Sequence, residues 1–198
     1  AGAPRDASEA LSRIDARDDG ARAVVHQMEA RVLLAEQRPE DAVEPLRKAI
    51  ELDPDLAESH YHMGVALEAT GDPAGAAEAY ERELSTSGDH YQAHFSLAKL
   101  AGAAGDAESL VAHLERAIAA EPGFAVGHLY LANAYLDQGE PNRALPLAQR
   151  GLELGPDPEL EPFGHFILAD VYRLLGRPRD ASRELAKAKA LQGGAVPQ

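Results

Sequence analysis

Small residues recur along this chain at a spacing of 34, at Ala30, Gly64, Ala98 and Ala132, and once more at Ala169 after three extra residues. A period of that length means stacked copies of one supersecondary element, so no single central core sets the architecture. A second set of small residues, Ala42, Ala76, Ala144 and Ala181, follows the first by 12 residues each time. Between the sets lie Gln37-Arg38, Gly71-Asp72, Gly105-Asp106, Gly139-Glu140 and Gly176-Arg177. Glycine opens four of the five breaks, and glycine closes a helix in the left-handed conformation without strain. Pro39, Pro73, Pro141 and Pro178 then fall in the first turn of the next helix, where a missing N–H costs little. Each period is therefore predicted to be a helix-turn-helix hairpin.

Larger apolar residues fill the seam around the small ones. Leu33, Leu67, Tyr135 and Tyr172 in first helices are answered by Leu46, Tyr80, Leu114 and Leu185 in second helices. Residues 4–19 look like a second helix without its first, with Ala7, Leu11 and Ile14 standing where Ala42, Leu46 and Ala49 stand later. Residues 1–22 thus read as a half repeat, either a native cap or the end of a preceding repeat. The last helix carries Arg183, Glu184, Lys187 and Lys189 and is expected to face solvent as its own cap.

Charge and composition remove several function classes. The formal charge is -14, from 33 acidic against 19 basic residues. Nucleic-acid binding needs a basic footprint, as does an anionic membrane surface, so neither is an expected partner. The sequence holds no apolar run long enough to insert into a bilayer. It has no cysteine, which excludes disulfides and thiolate metal sites but fits cytoplasm and periplasm alike. With no signal-like start in AGAPRDASEA, the cytoplasm is the expected compartment.

Laid in register from Ala23, Ala57, Tyr91, Ala125 and Pro162, the repeats resemble the tetratricopeptide repeat (TPR) family. One carries His60, Met63-Gly64, Leu67, Ala76 and Tyr80, and another carries His128, Leu131-Ala132, Tyr135, Ala144 and Pro156. The resemblance covers residues 23–195, as hairpins over 23–56, 57–90, 91–124, 125–158 and 162–195 with a tail at 196–198. It implies an all-α, right-handed α-solenoid of helix-turn-helix repeats with about 11 helices. In that family the concave groove is lined by first-helix residues, here Gln27, Tyr61, Phe95, Leu129 and Phe166 at the fifth place of each repeat. The ninth place holds Arg31, Val65, Lys99, Asn133 and Asp170, with Asp137 and Arg173 nearby. Tyr61, Phe95, Leu129 and Phe166 would then form an exposed apolar stripe. The clamp by which co-chaperone relatives hold a carboxylate is incomplete, because only Arg31 and Lys99 fit it.

A histidine occupies the fourth place of every repeat: His26, His60, His94, His128 and His165. Equivalent side chains on parallel helices do not converge, so packing is the expected role. His90 and His94, four apart, are the one weak metal pair, with Asp89 expected near the cap of the helix. Glu83 stands where other repeats have Ala or Gly and is expected to reach solvent, since a buried carboxylate would need a partner. Leu110 replaces a small residue of the second helix. No catalytic motif is present and no cofactor is expected. The expected function is a non-catalytic scaffold that binds a protein or peptide in the groove. The alternatives are a homo-oligomerisation module working through the N-terminal half repeat, and the substrate-recruiting appendage of a larger enzyme.

Overall fold

The computed structural model describes residues 18–193. The chain divides into two compact lobes, Ala1–Ala93 and His94–Gln198. The first holds α1 (Asp19–Ala35), α2 (Pro39–Leu52), α3 (Ser59–Ala69) and α4 (Pro73–Thr86). The division falls in the first turn of α5 (Tyr91–Ala104), after which come α6 (Ala107–Ala120), α7 (Ala125–Asp137), α8 (Pro141–Glu153), α9 (Glu161–Leu174) and α10 (Pro178–Gly193). Ten helices and no strand occur among the described residues. The half repeat expected over residues 4–19 lies almost wholly outside them. Where its end is described, the chain departs from expectation. Asp18 is the N-cap of α1, its carboxylate accepting the Ala21 N–H at 2.7 Å, so this helix starts four residues before Ala23.

All five breaks fold alike. After each first helix one residue takes a positive φ: Gln37 60°, Gly71 84°, Gly105 77°, Gly139 73° and Gly176 69°. In the first of these turns Gln37 N–H donates to Leu34 O at 3.0 Å and Arg38 N–H to Leu33 O at 2.9 Å. The other four repeat this pair of bonds, which satisfies the last carbonyls of the helix. A side chain at positive φ is strained where glycine is not. Gln37→Gly is therefore expected to stabilise the chain by about 0.5–1 kcal/mol, seen as a raised urea midpoint at unchanged slope. The loops between repeats are less uniform. They run over 53–58, 87–90, 121–124 and 154–160.

In the N-terminal lobe Ala30, Leu33, Ala42, Leu46 and Ala66 form one buried cluster, flanked by Val43 and Met63. Gly64 is small of necessity, since a Cβ there would stand 2.5 Å from Cε1 of the buried Tyr80 ring. In the C-terminal lobe a larger cluster joins Ala98, Leu114, Leu131, Ala132, Tyr135, Ala144, Ala148, Leu168, Val171 and Tyr172. Leu110 packs beside Gly102, its Cδ1 lying 3.7 Å from where a Gly102 Cβ would be.

Two expectations about α10 need correction. Glu184 does not face solvent. It is buried, accepting from Lys187 and paired with His165 Nδ1 at 2.6 Å. The lysine and histidine hold its carboxyl below the usual range against the opposing effect of burial. Leu185, placed on the seam by its register, is 37% exposed.

Candidate peptide-binding surface

The fifth-place side chains do not form one open stripe. In the N-terminal lobe Gln27 is buried, its Nε2 donating to Ala57 O at 2.5 Å and Ser59 Oγ at 2.9 Å. It joins α1 to the start of α3 and is not available to a partner. Tyr61 is half-buried, with His90 at 4.7 Å, His62 at 5.4 Å and Tyr80 at 5.8 Å between ring centroids. Burial pushes its phenol up from the usual value. Arg31 is exposed and Val65 half-buried. His62 is held low, first by burial and then by the Arg31 charge.

Glu83 corrects a second expectation. It is 1% exposed and does not reach solvent. Its two carboxylate oxygens accept the Glu58 and Tyr61 N–H groups, both at 3.1 Å. Glu58 itself sits at φ 66°, which turns the chain into α3. The carboxylate thus takes the place of a capping side chain at the positive end of that helix.

In the C-terminal lobe Leu129 is 1% exposed. It packs under Gly151 and Gly164, where Cβ atoms would approach its Cδ2 to 2.6 and 3.0 Å, so it belongs to the core and not to a groove. Its neighbour Tyr130 takes the open position. Phe95 meets Phe124 edge-on at 5.1 Å and Tyr130 edge-on at 5.2 Å, and Tyr130 continues to Phe163 at 5.7 Å. All four rings are half-buried. Neither Tyr130 nor Phe163 is among the groove residues expected from the sequence. The signal was two further aromatics at the sixth and second places of adjacent repeats.

Polar groups flank this run. Lys99 Nζ lies 6.0 Å above the Phe95 ring. Asn133 Nδ2 donates to Asp137 at 3.1 Å, and Asp170 pairs with Arg173 at 2.7 Å. Phe166 is half-buried beside Asp170 in the same helix.

The histidines serve the frame. His60 Nε2–H donates to Pro54 O at 3.2 Å, and His128 Nε2–H to Pro122 O at 3.1 Å, each tying a first helix to the end of the preceding repeat. His94 and His113 place their Nδ1 atoms 3.2 Å apart, while His26 lies 3.5 Å from Glu29. His90 Nδ1 accepts the Ala93 N–H at 3.2 Å, so it caps α5 where Asp89 was expected to. His90 and His94 are therefore engaged through their Nδ1 atoms with different neighbours. No group of three or more His, Asp or Glu among the described residues could hold a metal ion.

Another polar cluster lies on the seam of the fourth repeat. Tyr135 OH donates to Glu115, Arg143 donates to the same hydroxyl, and the guanidinium lies 3.8 Å over the ring. Burial and the Glu115 acceptor push the phenol up from 10.0 to about 12. A raised folded pKa means that the native state keeps its proton longer than the unfolded chain. The associated stability is intact below pH 10.0 and lost as pH rises towards about 12. Tyrosinate absorbance should show Tyr135 titrating late, and Glu115→Gln should bring it only part of the way back, since burial, the larger cause, remains.

The architecture is that of an all-α protein of repeated helical hairpins whose first helices carry a partly open aromatic face. Models of the TPR repeat match residues 30–71, and models of the tetratricopeptide repeat match 101–161 and 162–187. The chain belongs to the TPR family. No curated protein matches the sequence. Among solved structures it is similar to MamA from Desulfovibrio magneticus RS-1, at 22% identity and TM-score 0.75, over 89% of this chain and 98% of that one. It is similar to BtubC from P. vanneervenii at 19% identity and TM-score 0.77, over 98% and 91%. It also resembles YrrB, described as a TPR protein with an unusual peptide-binding site, at 18% identity and TM-score 0.71, over 98% and 94%. At these identities the likeness is one of fold. No described helix is long and apolar enough to cross a membrane.

Proposed function

We propose that the chain is a non-catalytic scaffold whose first helices bind a peptide segment of a partner protein. The observation that carries this reading is the half-exposed ring run of Phe95, Tyr130 and Phe163, flanked by Lys99 and by Asn133 with Asp137. Partly uncovered aromatics beside hydrogen-bonding groups are the usual anchors of a protein interface. A peptide-binding site in the similarly folded YrrB supports the same ligand class. In the N-terminal lobe Tyr61, Arg31 and Val65 are the residues available for such contact. Gln27 and Leu129 take no part.

The test is selection of binding peptides from a displayed library, followed by calorimetry on Tyr130→Ala and Phe163→Ala. Removing one anchor should weaken the selected peptides by about tenfold or more, with the helical circular dichroism unchanged. Undiminished affinity in both variants would move the site off this face.

A further inference from the structure

The polar cluster of the fourth repeat rests on three places: Tyr135 at the eleventh, Arg143 at the nineteenth, and Glu115 at the twenty-fifth of the preceding repeat. The fifth repeat keeps the centre of this arrangement. Tyr172 is buried at the eleventh place, and its hydroxyl takes a hydrogen bond at 3.4 Å from Gln149, again at the twenty-fifth place before it. In both repeats a tyrosine ring on a first helix thus meets the second helix of the repeat before it.

The second repeat lacks the ring. Its corresponding three places hold Leu67, Gly75 and Arg47. What stands there is an open groove of about 690 Å³ between α2, α3 and α4, a size that ordinary ligand sites have. Val43, Met63, Leu67 and Ala79 give it apolar walls, and Arg47 lines it as well. Gly75 contributes no side chain where Arg143 covers the Tyr135 ring.

We infer that this groove takes the side chain of a tyrosine from a partner protein, its ring against Met63 and Leu67 and its hydroxyl oxygen accepting from Arg47. The molecule's own repeats name the occupant, because they seat a tyrosine at this place twice. The twenty-fifth place sets the polar end. It accepts from the phenol as Glu115 and donates to it as Gln149, and Arg47 can only donate. Arg47 already donates to Glu44, but a guanidinium has five N–H groups and keeps others for a ligand. Arg82 lines the groove together with Glu78 and Glu81, so hydrogen bonding and not net charge selects the ligand. The chain cannot supply the ring itself. Residues 1–17 and 194–198 contain no aromatic residue, and none of the 6 Tyr and 4 Phe is exposed. A second copy has no free ring to offer for the same reason. The groove shares no residue with the aromatic face proposed to bind peptide and does not rest on that reading.

Methyl and amide NMR of the full chain tests it, with N-acetyl-tyrosinamide as the probe and N-acetyl-phenylalaninamide beside it. The tyrosine probe should shift the Met63 methyl and the Gly75 amide saturably. It should bind about tenfold more tightly than the phenylalanine probe, the difference made by one hydrogen bond from a charged donor. Leu67→Tyr places a ring at the eleventh place, as the fourth and fifth repeats do, and should abolish the shifts with the helical circular dichroism unchanged. Arg47→Ala, at an exposed position, should leave the two probes binding alike. Tyr130→Ala should leave the Met63 shift intact, so this reading and the peptide-binding one can each fail alone. Absence of a saturable shift at Met63 and Gly75 overturns the inference, as does a Leu67→Tyr protein that binds the probe as before. Equal affinity of the two probes for the unaltered chain overturns it too, because Arg47 would then read no hydroxyl.

Discussion

Tyr80→Ala is expected to destabilise the N-terminal lobe by about 3–5 kcal/mol, the range for deleting a buried aromatic side chain. Tyr80 is fully buried, its ring fills the space that Gly64 leaves by lacking a Cβ, and its hydroxyl donates to Glu68 at 2.8 Å. Alanine would leave a cavity between two helices whose separation was set by the ring. The neighbours cannot close it without moving α3 towards α4. Tyr80→Phe keeps the ring and loses one hydrogen bond, so it should cost only about 1 kcal/mol. Chemical denaturation of the two variants separates packing from hydrogen bonding. Equal losses would mean that the hydroxyl, not the ring, holds the seam.

Glu83→Ala should cost about 2–4 kcal/mol, because two backbone N–H groups at the start of α3 lose their acceptors in a place that water reaches poorly. Other repeats carry Ala49, Ala117, Gly151 and Ala188 at the same place, so the replacement is conservative by register. It is not conservative by contact. Glu83→Gln retains one oxygen as acceptor and should lose less. The most local readout is hydrogen exchange at Glu58 and Tyr61, which should accelerate in Glu83→Ala more than the amides in the middle of α4. Unchanged exchange at both amides would show that the carboxylate does not hold this turn.

The frame of the molecule was legible because it rests on steric necessity. Positive φ favours glycine, and four breaks have it. Close helix approach requires small side chains, and Gly64, Ala98 and Ala132 supply them. What failed turned on the direction of single side chains. Leu129 and Tyr130 differ by about 100° around α7, so a small helix rotation decides which faces the core. Leu129 fills the space that Gly151 leaves and shares with Leu152 the space at Gly164, and these glycines lie in two other helices. Gln27 and Glu83 read as surface residues because their partners, backbone groups and the Ser59 hydroxyl, lie in the 53–58 loop and the start of α3. The φ of Glu58 that presents those groups has no signature in its residue type. The half repeat and its place in any assembly lie outside the described residues.

The contrast between the two kinds of connection bears on where this chain could be lengthened. Turns within a hairpin are two or three residues long and hold their paired bonds in every repeat. An insertion there would break the closing contacts of one helix and the first turn of the next. Connections between hairpins already vary from four residues to seven, and 154–160 packs few side chains tightly. Insertion of a foreign segment or opening of new termini should therefore be tolerated at Asp157–Glu159. The 53–58 connection, pinned by Gln27 and Glu83, is the one long loop that should refuse it.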